Sequence, residues 1–130
     1  MIQSENPIGA IVGYRVLTSY FEGSVTIDIG DESQYIIYIE SEFEFWDGKD
    51  VFRIKGTPYD DEMLHLQAQK GMTVREAHAG EDGCLIISFG ESCRLTCEAD
   101  DNYEAWRIVG PQGFRVVSLA AGGLMVWDAV

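Results

Sequence analysis

The chain has 130 residues, of which 22 are acidic and nine are basic, so its formal net charge is −13. This length fits one domain that can bury a core without a metal or a disulfide staple. The charge disfavours binding to nucleic acid or to anionic membranes and favours an encounter with a basic partner, with plain solubility as the open alternative.

The compartment is indicated by the cysteines and by the apolar runs. The three cysteines form an odd set, and no basic region followed by an apolar stretch opens the sequence. We therefore expect no secretory leader, and free thiols in a reducing cytoplasm. No apolar run is long enough to span a bilayer, so no membrane association is expected.

The first half of the sequence is typical of antiparallel strands. Residues 25–29 alternate apolar and polar side chains with the period of a half-buried strand. The register expected across a turn at 30–32 pairs Ile29 with Ser33, Ile27 with Tyr35 and Val25 with Ile37. The strands predicted in this half cover residues 9–21, 25–29, 35–39, 42–46 and 51–54.

A helix is predicted over residues 57–70. Thr57 can cap its start, Pro58 suits the first helical position, and the acids at 60–62 favour the positive end of the helix dipole. A lysine followed by Gly71 marks its end. We expect this helix to be the longest in the protein, with Thr57 supplying the cap. One of its faces carries Tyr59, Met63 and Leu66.

The second half returns to strand patterns. Its second turn, at residues 90–92, predicts a hairpin that pairs Phe89 with Cys93, Ile87 with Leu95 and Leu85 with Cys97. The strands predicted in this half cover residues 73–79, 84–89, 93–98, 105–109, 114–119 and 124–127.

An offset of 60 residues (106 − 46) relates the two halves. It carries Gly23 onto Gly83 and Trp46 onto Trp106, and it carries apolar residues onto apolar ones. Chance similarity between two amphipathic hairpins is the alternative, but the matching glycines favour an internal duplication. We predict that residues 23–46 and 83–106 superpose, with the two tryptophans in equivalent places.

The predicted fold is a single α+β domain that is mainly antiparallel β. Two related β units, at about residues 9–56 and 71–127, should close over a shared core, and the helix at 57–70 links them. Strand alternation places eight side chains in that core: Val25, Ile27, Ile37, Leu85, Ile87, Phe89, Leu95 and Val117.

No motif in the sequence indicates catalysis. Cys84, Cys93 and Cys97 lack metal-site spacing to each other and to His65 or His78. The glycines join strand to strand, unlike a phosphate-binding loop, and the acids form no recognisable catalytic pair. We therefore expect a protein that is not an enzyme and needs no metal or cofactor.

The feature that remains is a surface of acids mixed with aromatic side chains. A solvated face is one interpretation, and a docking surface for a cationic protein is the other. The candidate partner-binding residues are Glu40, Glu42, Glu44, Trp46, Asp47, Glu98, Asp100, Asp101 and Tyr103.

The end of the chain resembles a family of small uncharacterised bacterial proteins. The resemblance lies in Tyr103-Glu104-Ala105-Trp106, in Gly110-Pro111-x-Gly113, and in Gly122-Gly123 followed by Val126-Trp127. The family's last turn often has a proline where this chain has two alanines. The resemblance implies no catalytic residues.

In its small size, acidity and β-rich pattern the chain is also similar to immunity proteins. These are cytosolic inhibitors that neutralise a toxin delivered by contact or secretion, often a basic nuclease. We therefore expect a non-enzymatic immunity protein with a basic toxin domain as its partner. One alternative is a self-associating module that forms a homodimer through exposed strand edges or through the acidic-aromatic strand. Another is a small-molecule binder or enzyme that uses the seam between the two units.

Overall fold

The structure is a computed structural model that describes residues 6–58 and 60–130. Over these residues the chain forms two antiparallel sheets, one short α-helix and two 3-10 turns, at Gly9–Ile11 and Pro111–Gly113. The helix α1 spans Met63–Gln67. The strands are β1 Val16–Phe21, β2 Val25–Ile29, β3 Tyr35–Ile39, β4 Phe43–Trp46, β5 Val51–Ile54, β6 Val74–Ala79, β7 Leu85–Phe89, β8 Cys93–Cys97, β9 Trp106–Val109, β10 Arg115–Ser118 and β11 Leu124–Trp127.

The chain crosses between the two sheets in the same way in each half. The six-stranded sheet has the order β1-β2-β3-β9-β10-β11, and the five-stranded sheet has the order β5-β4-β8-β7-β6. Each half thus gives three consecutive strands to one sheet and its remaining strands to the other. The apolar faces of both sheets pack against each other, which is how two amphipathic sheets remove those faces from water.

The pairing of the first strands corresponds between the halves. Val16 lies opposite Ile29 in β1 and β2, and Val74 lies opposite Phe89 in β6 and β7. A β-bulge follows directly after Val16 in one pair and directly after Val74 in the other. A bulge adds one residue to a strand and bends it, so β1 and β6 bend at matching positions.

A central bridge joins the two halves where β1 and β6 begin. Arg15 pairs with Thr73 in an isolated antiparallel bridge. The N–H of Gly13 donates to the carbonyl of Val74 at 2.8 Å, and the N–H of Gly71 donates to the carbonyl of Val16 at 2.7 Å. A shift of 58 residues carries Gly13 onto Gly71 and Val16 onto Val74, so each hydrogen bond is the counterpart of the other. The bridge therefore has local two-fold symmetry.

The predicted equivalence of Trp46 and Trp106 is wrong in this register. Ile37 in β3 and Leu95 in β8 hold corresponding places in the two halves. Ile108 lies opposite Ile37, and Phe45 lies opposite Leu95, so β9 corresponds to β4 at an offset of 63 residues. Phe43 therefore corresponds to Trp106, and both are buried, whereas Trp46 is 40 % exposed. The offset changes because the connections differ in length, with residues 40–42 before β4 and residues 98–105 before β9.

The two hairpin predictions had different outcomes. The register around Phe89 is the predicted one, with Phe89 opposite Cys93. In the first half Ile29 lies opposite Tyr35, not Ser33, because the loop has five residues and both Gly30 and Ser33 adopt positive φ. A slip of two residues keeps every side chain on its predicted face.

The helix prediction was wrong in both length and cap. The helix α1 begins at Met63, and Thr57 makes no cap. Instead the Asp60 carboxylate accepts hydrogen bonds from the backbone N–H groups of Lys55, Gly56 and Glu62 at 2.6, 3.3 and 3.0 Å. These bonds hold the segment before α1 in a loop, because a side chain that captures backbone donors competes with the helix for them. Tyr59, predicted on the helix face, lies outside the described residues.

All eight predicted core residues are buried. Seven of them lie between the sheets. Val117 is 2 % exposed but faces outward, opposite Arg107 and Met125 on the neighbouring strands, while the adjacent Val116 faces the core. The first part of the predicted strand 9–21 forms a 3-10 turn, and β1 starts only at Val16.

Candidate functional site

Four connections meet at one end of the sandwich, at residues 40–42, 80–84, 98–105 and 119–123. The buried indole N–H of Trp106 donates to the carbonyl of Gly83 at 2.8 Å, and the Ser118 hydroxyl donates to the same oxygen at 3.0 Å. The N–H of Ala121 donates to the carbonyl of Asp100 at 2.6 Å. These bonds tie the three connections of the second half together.

Acidic residues concentrate at this end, which we call the acidic end. Its four connections and the adjoining Glu44 carry nine acids, and three cations, Arg53, Lys55 and Arg107, lie beside them, so six negative charges are unbalanced among these groups. The acids are Glu40, Glu42, Glu44, Glu81, Asp82, Glu98, Asp100, Asp101 and Glu104.

The two arginines neutralise one side of the acidic end. Arg107 pairs with Glu40 at 3.2 Å, and Arg53 pairs with both Glu42 and Glu44, the latter at 2.9 Å. These pairs are largely exposed, so each contributes little to stability. Their main effect is local: among the described residues, the carboxylates without an ion pair at this end are those of the loop 98–105 and of the turn 80–84.

An exposed aromatic side chain lies beside these free carboxylates. Tyr103 is 48 % exposed and lines an open groove of about 710 Å³ together with Glu104, Leu119 and Ala120. Trp106 forms part of its floor but is itself 1 % exposed. An aromatic ring beside an apolar groove and a charged rim is the arrangement found at the energetic centres of protein interfaces.

The structure separates two of the sequence-predicted site residues from the rest. Strand β4 runs across the five-stranded sheet, so Trp46 and Asp47 lie at the end opposite to Glu42. The Asp47 carboxylate accepts the backbone N–H groups of Lys49 and Asp50, both at 2.8 Å, and these bonds lower its pKa. Asp47 is thus the organising residue of a tight turn.

The same topology adds acids that the sequence reasoning left out. Glu81 and Asp82 occupy the turn between β6 and β7, and a side chain at Gly122 would touch the Asp82 carbonyl. Glu104 lines the groove beside Tyr103. No local sequence signal joins these segments, because they meet only after β9 crosses to the six-stranded sheet.

The thiols near the acidic end are poor nucleophiles. Burial, followed by the charges of Cys84, Glu98 and Asp100, raises the pKa of Cys97 to about 12. Burial, followed by the charges of Asp82 and Glu98, also raises the pKa of Cys84. Because the thiolate is the reactive form, a raised pKa makes a cysteine inert.

The histidines and acids of the described residues form no cluster that could bind a metal. His65 stacks on Phe52 with a ring separation of 3.6 Å, and His78 lies exposed on the edge strand β6. Across residues 6–58 and 60–130, no three His, Cys, Asp or Glu side chains are grouped so that they could hold a metal ion.

A membrane-spanning helix would need a long apolar segment. In the described part of the chain no helix is long and apolar enough to cross a membrane.

The fold and the charge define a small, acidic protein of two antiparallel sheets with one short helix. Among protein families, the family of unknown function DUF6188 matches residues 7–128, so the chain belongs to that family. This fits the expected membership of an uncharacterised family. No curated protein and no solved structure matches the chain.

Proposed function

We propose that this protein is a non-enzymatic binding protein that holds a cationic protein against its acidic end. More specifically, we propose that it is a cytoplasmic immunity protein that neutralises a basic toxin domain. The observation that carries the proposal is the concentration of nine acids against three cations in the connections at one end of the sandwich.

Electrostatics and the exposed ring have separate roles in this proposal. Unpaired carboxylates attract a basic protein over roughly 8 Å at physiological ionic strength and raise the association rate. Tyr103, beside the groove, offers an aromatic anchor whose burial slows dissociation. The partner should therefore be rich in lysine and arginine and should present an apolar cleft or contact for a tyrosine ring.

We also infer that the two halves, residues 9–56 and 71–127, descend from one duplicated β unit. The matching bulges after Val16 and Val74 support this origin, as does the two-fold bridge between Arg15 and Thr73. Insertions in the connections then account for an offset that varies along the chain. An independent test is whether relatives of the family carry the same bulges in both halves.

The binding proposal is tested with the product of the adjacent reading frame. Co-expression should rescue growth if that product is toxic, and the purified pair should associate more slowly as salt increases while dissociation changes less. The triple variant Glu98→Lys, Asp101→Lys, Glu104→Lys should lower the association rate by about tenfold or more at low salt. All three residues are exposed, so the fold should persist.

A matched variant controls for net charge. Glu32→Lys, Asp50→Lys, Glu91→Lys makes the same change of six charges with exposed residues in turns at the opposite end of the sandwich. It should slow association much less than the acidic-end variant. Equal slowing by both triples would indicate a general charge effect. A neighbour that neither binds nor is toxic would remove the immunity proposal.

A further inference from the structure

The outer face of the six-stranded sheet differs from the rest of this acidic protein. Directly paired residues form a row across all six strands. Among the outward side chains of these described strands, Asp28 is the sole acid, against Arg107 and Arg115. The row runs Thr18, Asp28, Ile36, Val109, Arg115 and Trp127.

This face combines exposed apolar groups with fixed cations. Met125 and Trp127, on the edge strand β11, are 45 % and 47 % exposed. The guanidinium of Arg115 lies 5.4 Å from the ring centre of Trp127, and that of Arg107 lies 4.2 Å from the ring centre of Tyr38. Because a ring beneath a guanidinium restricts its motion, both cations are held in place on the face.

On this face, one carboxylate oxygen of Asp28 lacks a hydrogen-bond partner among the described residues. That oxygen, Oδ1, is buried. Burial among its neighbours raises the pKa of this carboxyl, although a hydrogen bond from Ser33 partly opposes the shift. A buried carboxylate oxygen without a donor is costly. The Asp28 side chain as a whole is half-buried, so a cation packed over it from outside would favour its charged form.

Arg115 of the same chain cannot supply that cation. Asp28 is on β2 and Arg115 is on β10, three strands away in the sheet order. Three strand spacings amount to about 14 Å. The two charges are nevertheless placed symmetrically, at equal distances from the midline between β3 and β9.

We propose that this face packs against the same face of a second copy, forming a two-fold dimer. A two-fold axis between the faces, running along the strands midway between β3 and β9, sets β2 against β10 and β3 against β9. Asp28 then meets Arg115 of the second copy twice, once on each side of the axis. Ile36 meets Val109 on the same row.

The second row gives the same complementarity. The axis sets Tyr38 against Arg107 of the second copy. Each Arg107 guanidinium then lies between the Tyr38 ring of its own chain and that of the second copy. An isologous interface requires a self-complementary surface of this kind. Because the axis runs along the strands, the two acidic ends lie side by side at one end of the dimer, outside the two contacting rows. Their repulsion opposes dimerisation at low salt in a chain with a net charge of −13. The inference does not depend on binding at the acidic end.

A charge-swap experiment tests this dimer. Sedimentation velocity across a wide range of concentrations should show that the natural chain is a dimer. Asp28→Lys and Arg115→Glu should each raise the dimer dissociation constant by about a hundredfold or more, because each creates two like-charge contacts. An equimolar mixture of the two variants should dimerise again, since the new lysine of one copy then faces the new glutamate of the other and the natural pair survives on the other side.

The control changes a charge on the other sheet. Arg94→Glu alters an exposed arginine on the outer face of the five-stranded sheet and should leave the dimer intact. Arg115 is exposed, so its variant tests the interface even if Asp28→Lys fails to fold by circular dichroism. A natural chain that stays monomeric, single variants that remain dimeric, or a mixture of folded variants that stays monomeric would each overturn the proposal.

Discussion

The two halves of the protein share a strand plan and differ in their connections. The first half reaches the opposite sheet through the three residues 40–42, whereas the second half uses the eight residues 98–105. The longer connection carries Glu98, Asp101 and Glu104, which have no ion pairs among the described residues. The largest single group of acids at the acidic end therefore lies on a loop that is longer than its counterpart in the other half.

The halves also differ in what holds their connections. In the second half Trp106 is buried and donates to the carbonyl of Gly83. In the first half Phe43 takes the corresponding place, and it has no donor group. The longer loop thus has a buried hydrogen bond at its base that the shorter connection lacks.

The largest expected effect tests which residues correspond between the halves. Trp106→Ala and Phe43→Ala should each lower the free energy of unfolding by about 3–5 kcal/mol, because each removes a large buried ring. Trp46→Ala should cost about 1 kcal/mol, since that side chain is 40 % exposed. Urea unfolding curves measure all three. Similar losses for Trp46 and Trp106 would restore the equivalence at an offset of 60 residues.

The second expected effect compares the two matched glycines. Gly23 and Gly83 both have positive φ, so alanine at either position should cost about 1 kcal/mol in backbone strain. A Cβ at Gly23 meets nothing within 4 Å, but one at Gly83 would lie 2.9 Å from the Ser118 hydroxyl and 3.1 Å from the Gly123 carbonyl. Gly83→Ala should therefore cost about 2–4 kcal/mol in total. Equal losses in thermal unfolding would show that the loop 80–84 relaxes freely.

The alternation of apolar and polar residues predicted the core correctly, because it is insensitive to the register error in the first hairpin. A two-residue slip in the first hairpin left Ile27 and Ile37 on the buried face, where they pair directly. The length of that loop could not be predicted, since Ser33 adopts a positive φ that its residue type does not favour. For Val117 the alternation predicted burial correctly but assigned the side chain to the wrong face of the sheet.

The candidate site was harder to predict, because it depends on which sheet each strand joins. Neighbours in sequence, such as Glu44 and Asp47, end at opposite ends of a sheet when a strand lies between them. Residues far apart in sequence, such as Asp82 and Asp100, come together once β9 crosses over. Grouping acids by sequence distance therefore found the acidic loop but placed Trp46 with it incorrectly.

The third expected effect concerns the segment between the halves. Asp60→Ala should cost about 2 kcal/mol, because three backbone N–H groups lose a charged acceptor. Thr57→Ala should be close to neutral, since Thr57 is exposed and caps no helix. Chemical unfolding of the two variants checks this order. A larger loss for Thr57 would mean that the helix starts earlier in solution.

The smallest expected effect compares how the halves protect their edge strands. The outer edge of a sheet exposes unpaired backbone groups that can pair with another chain. In β6 the Asn6 side chain covers that edge, donating to the carbonyl of Ala77 at 2.8 Å and accepting from the N–H of Ala79 at 3.2 Å. In β1 the Gln67 side chain donates to the carbonyl of Ser19 at 3.3 Å.

These contacts correspond, because Ser19 and Ala77 hold matching places in their strands. Asn6 makes two bonds to the edge where Gln67 makes one, and the Gln67 bond is the longer. Asn6→Ala should therefore cost about 1–2 kcal/mol and Gln67→Ala about 0.5 kcal/mol. Hydrogen exchange should locate the effect, with faster exchange of the Ala79 N–H in the first variant. Equal losses, or exchange that accelerates uniformly over both sheets, would mean that these amides do not guard their edges and that the symmetry stops at the strands.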